Sequence, residues 1–324
     1  MEFEEFISGP NAPDVVATEG FWAQLAEPGL MEDLSDIYAD LSDDDYYTNI
    51  INASSSVGNR FMPVAYFVSG VIDYSDNSGN ASLTDSMSYS NYANMVNDEW
   101  NGEDPIAMSC TPEEYAEELI SSQYNLYIDR TTGNISFSEN EEFDRLMNFM
   151  VYSVWSTNAC DVESDYYADY YYGRFFSIYD FTYMDEDGST LYALPSGDGR
   201  TVAAEPILCL GITSSSDSKD GAKEFLLNSI SYESQIVCGS YNYGIPVNKE
   251  ALEYLMIDEE EHTKDTLDDF ISGISNVYVA DVELRYACYG PLYLLANGGY
   301  DSDYEPELAG RDIENNMEYF MQED

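Results

Sequence analysis

His262 is the only histidine in the 324-residue chain, and it closes the acidic run Glu259-Glu260-Glu261-His262. General acid–base chemistry at neutral pH favours a group that titrates near 7, which is where histidine sits. Inside a solvated charge run, however, a histidine reads as surface. Carboxylates are abundant, 63 of them against 11 basic side chains, so a paired Asp or Glu does not single out a glycoside-cleaving site. Asp301, Asp303, Glu305 and Glu307 alternate like calcium-loop ligands, but Pro306 occupies the position where such a loop needs Gly. Cys110, Cys160, Cys209, Cys238 and Cys288 are scattered without a CxxC pair, which speaks against metal knuckles and redox couples. Their odd number leaves at least one unpaired within the chain, and small buried hydrophobes are the expected role. No GxSxG, HExxH, P-loop or GxGxxG in context is present. The expectation is a protein with no catalytic residue, no metal and no cofactor.

The formal net charge is -52. Such a field repels phosphate backbones and anionic headgroups, which excludes nucleic acid and basic-face membrane docking. With 44% hydrophobic and 15% aromatic residues the chain is nonetheless core-forming material. No run of about 18 apolar residues is long enough to span a bilayer. No signal peptide is visible, and residues 1–7 read as the middle of an amphipathic helix rather than a domain start.

Positioning elements follow from the apolar periodicity. A helix is expected over residues 1–7, a turn over 8–14 and a short buried strand over 15–18. A helix beginning at residues 21–26 would bury Trp22 beside Leu25 and stop at Pro28-Gly29. Another is expected over 46–54, then two strands over 60–67 and 69–74. Ser, Gly, Asn and Asp make residues 75–82 a linker candidate. Helices follow over 90–100, 112–128 and 140–156, the first and last carrying Trp100 and Trp155 as packing residues. Residues 191–195 end a strand, and the unbroken apolar run 207–212 suits a doubly covered strand. Helices close the pattern at 219–230, from Lys249, and over 266–275 and 313–321. Short strands separated by helices predict an α/β fold with mostly parallel sheets.

Six segments, in order, resemble the family 1 extracellular solute-binding proteins of ABC sugar importers. They are Ser8-Gly9 with Pro13-Asp14-Val15-Val16, Gly29-Leu30-Met31-Glu32-Asp33-Leu34, and Thr132-Gly133 through Phe143. The others are Leu194-Pro195-Ser196-Gly197-Asp198-Gly199, Leu210-Gly211-Ile212 through Phe225, and Gly244-Ile245-Pro246-Val247-Asn248-Lys249-Glu250-Ala251. The match is loose over residues 281–324, and the family's first strand, helix and second strand have no counterpart. The resemblance implies a two-lobed periplasmic-binding-protein-like fold of type II. One lobe would hold residues 1–72 and 202–271, the other 73–201 and 272–324. It further implies an extracellular, lipid-anchored monomer that captures a carbohydrate between its lobes and passes it to ABC transporter permease subunits. The Gly244–Lys249 stretch would lie at a late passage near the hinge. Its residues would equally make an ordinary strand-to-helix turn, with Gly244 free in φ, Pro246 fixing φ and Asn248 capping the next helix.

A sugar needs flat aromatic faces against its C–H side and carboxylates, amides or Arg for its hydroxyls. Four regions supply them at strand ends. Thr18 and Glu19 follow the first strand, with Trp22 close by. Tyr66 and Phe67 follow Pro63. Tyr171, Tyr172 and Arg174 occupy the place where the resemblance puts a ligand-contacting aromatic loop. Tyr241 and Tyr243 precede the Gly-Ile-Pro turn. Among 30 tyrosines any one has packing as its alternative role, and Arg174 has the neutralising of nearby aspartates. Two rivals stand beside transport: the same fold with a degenerate cleft and a signalling or scaffold role, and a secreted glycoside-acting enzyme.

Overall fold

The computed structural model describes residues 3–26, 29–53, 57–73, 83–84, 88–90, 106–107, 111–151, 170–176, 178, 190–192, 194, 196, 202–240, 244–259, 261–298 and 304–323. In chain order the elements are α1 (Phe3–Ser8), β1 (Val15–Thr18), β2 (Phe21–Trp22), a 3-10 turn (Ala23–Ala26), α2 (Ser35–Ala39), α3 (Thr48–Asn52) and β3 (Met62–Asp73). Then come β4 (Leu83–Thr84), β5 (Ile106–Ala107), α4 (Pro112–Ser122), a 3-10 turn (Tyr124–Leu126), β6 (Ile128–Asp129), β7 (Asn134–Ile135) and α5 (Glu141–Phe149). These are followed by β8 (Tyr170–Phe176), β9 (Thr190–Tyr192), β10 (Val202–Ile212), α6 (Lys219–Ser229), α7 (Tyr232–Ser240), β11 (Ile245–Pro246) and α8 (Lys249–Leu255). The last are α9 (Glu261–Ser272), β12 (Ile274–Val277), β13 (Val279–Ala280), α10 (Val282–Gly298) and α11 (Pro306–Glu323). The linker candidate 75–82, Trp100, Trp155, Cys110, Cys160 and Asp301 and Asp303 lie outside the described residues. Among the described residues no helix is long and apolar enough to cross a membrane.

The frame is a ribbon of two long antiparallel strands, β3 and β10. The first half of β3 and the second half of β10 meet β1 and β11. The second half of β3 instead pairs with β8 and β9. Each long strand therefore serves two different groups of neighbours, one at each end. Pro206 has no N–H to give the ladder, and the β3–β10 register slips between Pro206 and Leu208. Two expectations are corrected here. The two strands expected over 60–67 and 69–74 are one, β3, because Ser69 pairs with Ala203 and Gly70 with Gly173 instead of turning. The main sheet is also mostly antiparallel about β3 and β10, with parallel pairs at β10–β12, β4–β9 and β5–β8, and β2–β13 forms a separate parallel pair. An apolar run reads the same in either direction, so periodicity carries no information on strand sense.

Local chemistry explains the tight organisation of residues 244–249. Gly244 has φ +106°, and a Cβ there would sit 2.9 Å from the Tyr66 carbonyl oxygen and 2.7 Å from Ile207 Cδ1. Asn248 caps α8, its Oδ1 accepting from Ala251 N at 3.0 Å. Gln235 of α7, fully buried, ties the segment to the ribbon. Its Nε2 donates to Val64 O at 2.9 Å and to Ser229 O at 3.1 Å, and its Oε1 accepts from Val247 N at 2.8 Å. Gln235→Leu strands these three backbone groups without partners. The expected cost is about 2–4 kcal/mol, at ~1–3 kcal/mol for each buried group left unsatisfied less what the leucine regains. Urea unfolding measures it, and an unchanged midpoint would refute this account.

α10 contains Pro291, which cannot donate to the carbonyl of Ala287. Asn316 of α11 supplies the missing donor at 3.1 Å. The free cysteines Cys209 and Cys288 are fully buried and Cys238 partly so, and burial raises the pKa of all three.

Candidate functional site

The turn between β1 and β2 holds Thr18, Glu19 and Trp22. Thr18 is buried, and its hydroxyl donates to Gly20 O at 2.8 Å, so it shapes the turn instead of facing a ligand. Gly20 takes φ +79°, a value few other residues adopt without strain. Glu19 is exposed. Residues 21 and 22 form a strand where a helix was expected, and alternation then decides their fates: Phe21 is fully buried, while Trp22 stands 39% exposed. The core role considered for Trp22 is thereby overturned. Its indole Nε1 donates to Glu19 O at 3.0 Å, which satisfies the polar edge and leaves ring surface in water.

β13 lies beside β2, with Val279 opposite Phe21 and Ala280 opposite Trp22. Two residues later α10 begins. Val282 is 56% and Tyr286 68% exposed, and a spacing of four puts them on one helix face. Trp22 on β2, and Val282 and Tyr286 on the first turns of α10, are thus exposed apolar side chains of adjoining elements, at a corner where the first strands meet the last helices. Sequence reading missed Tyr286, because no helix was expected over 282–298. The signal was present in the buried-type positions Leu284, Ala287, Cys288, Leu292 and Leu295, whose helical spacing is regular.

This corner rests on a buried polar cluster. Asp281 Oδ1 accepts from Glu283 N at 3.0 Å and Leu284 N at 3.1 Å, capping α10, and from Gln24 Nε2 at 3.1 Å. Its Oδ2 accepts from Tyr124 Oη at 2.5 Å and pairs with Arg130 Nη2 at 2.6 Å. The same Arg130 nitrogen lies 2.6 Å from Glu283 Oε2. The side chains of Arg130 and Asp281 are 4% and 0% exposed. Burial by itself would lower the Arg130 pKa, but the Asp281 charge and the Tyr124 oxygen more than reverse it. Burial, and then the Asp281 charge, pushes Tyr124 far up. The cluster holds Gln24, Tyr124, Arg130 and the start of α10 in one place, across separations of up to 257 residues.

The other candidates lie on β3, on β8 or outside the described residues. Tyr66 is fully buried in β3, opposite Pro206 and Ile245, and its hydroxyl has no hydrogen-bond partner. It is a core residue, with its pKa raised first by burial. Phe67 is half-buried, opposite Glu205. Tyr171, Tyr172 and Arg174 sit on strand β8, with Tyr171 opposite Ile72 and Tyr172 opposite Val71, so the expected aromatic loop is a strand. Tyr241 and Tyr243 lie outside the described residues.

A separate cavity of about 320 Å³ lies between α8 and α9. Tyr47, Lys249, Met256, Lys264 and Asp268 are among its walls. The Tyr47 hydroxyl is spent on Asp268 at 2.9 Å, and Lys249 Nζ lies 5.2 Å from the Tyr47 ring centre. Among the described residues no three His, Cys, Asp or Glu side chains converge as a metal site requires.

No protein-family model and no curated protein matches this sequence. Solved structures do match in fold. A protein of Synechococcus sp. MITs9220, described as an oligosaccharide periplasmic-binding protein, superposes with a TM-score of 0.62 at 14% identity, over 97% of this chain and 86% of that one. The GacH receptor of Streptomyces glaucescens GLA.O, solved with acarbose, gives 0.59 at 14% identity over 98% and 87%. UgpB of Mycobacterium tuberculosis, solved with glycerophosphocholine, gives 0.60 at 13% identity over 99% and 87%. The chain therefore has the two-lobed, mixed α/β fold of periplasmic-binding-protein-like molecules. These neighbours are binding proteins.

Proposed function

We propose that this chain is a solute-binding protein that captures a carbohydrate between two lobes and hands it to the permease subunits of an ABC importer. The observation that carries the reading is the exposed corner of Trp22 and Tyr286. It stands where the β1–β2 turn meets the start of α10, in a fold whose neighbours hold acarbose and glycerophosphocholine. Flat rings with a free carboxylate nearby, that of Glu19, suit the C–H face and the hydroxyls of a pyranose. On this reading the β3–β10 ribbon is the main crossing between lobes. Residues 1–72 with 202–271 form one lobe, and residues 73–201 with 272–324 the other. The slip at Pro206 supplies a place for the ribbon to bend as the cleft closes. The protein turns over no substrate, acts as a monomer, and works outside the cytoplasm on a lipid anchor.

Thermal denaturation with a panel of mono- and oligosaccharides, and with glycerophosphocholine for contrast, tests this. A true ligand at a hundredfold its Kd adds about 2.7 kcal/mol. The expected result is a saturable rise of several degrees with at least one sugar and none with the phosphodiester. A response to glycerophosphocholine alone moves the ligand class away from carbohydrate. Silence across the panel favours a degenerate cleft.

A further inference from the structure

One face of α10 is covered and the other is not. Leu284, Ala287, Cys288, Leu292 and Leu295 are buried. Val282, Tyr286, Tyr289 and Tyr293 are 56%, 68%, 71% and 51% exposed. Steps of four, three and four residues keep those four side chains in a single stripe down the helix. The chain carries 63 acidic residues, yet none interrupts this stripe. A face meant only for water would carry such charges, and three neighbouring rings left in solvent mark a binding surface.

Three observations say what the surface takes. First, it is continuous with the candidate site. Val282 follows Ala280 by two residues, and Ala280 lies opposite Trp22. Second, the stripe is tyrosine where a peptide-docking groove would be leucine and methionine, and a tyrosine ring offers a flat apolar face with a hydroxyl at its rim. Third, at 1.5 Å per residue the steps from Tyr286 to Tyr289 and on to Tyr293 are about 4.5 and 6 Å, each near the length of one pyranose unit. The platform is also held rigid. Asp281 caps its first turn, and Asn316 secures the carbonyl that Pro291 frees.

We propose that the ligand is a linear oligosaccharide whose first ring sits at Trp22 and whose following rings leave the cleft and lie along Tyr286, Tyr289 and Tyr293. This extension rests on the carbohydrate-binding reading and names the form of its ligand.

Isothermal titration calorimetry of the whole chain tests it. The probes are glucose and the α-1,4- and β-1,4-linked glucose oligomers of two to six units, applied to the wild type, Tyr289→Ser and Tyr293→Ser. Both variants change exposed rings, and circular dichroism checks their folding. The expected result is that wild-type affinity climbs with length in one series. Each variant then loses about tenfold on the longest oligomer, the size of one stacked ring, with the loss shrinking as the ligand shortens. Wild-type affinity that is flat with length, or variants equal to wild type on the longest oligomer, overturns the extension while leaving the carbohydrate reading in place. Wild-type silence towards every probe, glucose included, removes both. Sedimentation of the same samples supplies the remaining outcome: a concentration-dependent dimer abolished by Tyr289→Ser would assign the stripe to a second copy of the chain and overturn the extension.

Discussion

Asp281→Asn is expected to lower folding stability by about 3 kcal/mol, near the low end of the ~3–5 kcal/mol lost when one partner of a buried ion pair is removed. Asparagine keeps the shape of the side chain and caps helices well, so the loss reports the charge. Arg130 would remain buried with Glu283 as its one carboxylate, 2.6 Å away, which is why the low end applies. Tyr124 and Gln24 would lose their charged acceptor. In a chain of 324 residues, at about 2.1 cal/mol/K of unfolding entropy per residue, the change corresponds to a fall in Tm of roughly 4–5 °C. The control is Arg145→Met. Arg145 pairs with Glu142 at 2.6 Å, but its side chain is 54% exposed, and exposed pairs contribute under about 1 kcal/mol. If the two variants melt together, the buried cluster is not what holds α10 in place. Because the cluster anchors the first turn of α10, Asp281→Asn should also weaken any ligand that touches Tyr286.

Trp22→Ala is expected to weaken binding of the cognate sugar about 30–100-fold, the range of a central aromatic contact of ~2–2.7 kcal/mol. Stability should move by less than about 1 kcal/mol, since the ring already stands partly in water and fills no core space. Trp22→Phe separates two roles. It keeps a flat face but loses the Nε1 bond to Glu19 O, so an intermediate loss of about tenfold is expected. Calorimetric titration reads all three proteins. Full affinity in Trp22→Ala would place the ligand elsewhere, and the cavity beside Tyr47 would be the next place to mutate.

Much of the local backbone was legible in the sequence. Gly244 and Asn248 do what their chemistry dictates, a left-handed φ and a helix cap, while Pro246 sits in strand β11 opposite Ala65. Pro112 and Asn140 likewise mark true helix starts, with Asn140 Oδ1 accepting from Glu142 N. The first strand at residues 15–18 and the apolar run at 207–212 are strands as expected. The misread places share a cause. Phe21 and Trp22 sit in a stretch that also suits a helix, and only β13, contributed some 258 residues later, makes them a strand. Ser69-Gly70 looks like a break until Ala203 and Gly173 pair with it.

The candidate site was less legible than the fold. Thr18, Glu19 and Trp22 were singled out for their place just after a strand; Thr18 proves buried, while Glu19 and Trp22 are exposed. Tyr66 was chosen by type and proves to be buried in the ribbon, because residue type does not say which side of a strand will be covered. Asp281 and Arg130 are 151 residues apart and give no local sign of meeting. What the sequence determined alone was chemistry acting over a few residues, namely turn geometry, caps and apolar periodicity, together with the net charge of -52. Tertiary structure alone decided strand sense, which rings are buried, and which polar groups meet. Those outcomes depend on surfaces brought together from distant parts of the chain, and no short stretch encodes its own partner.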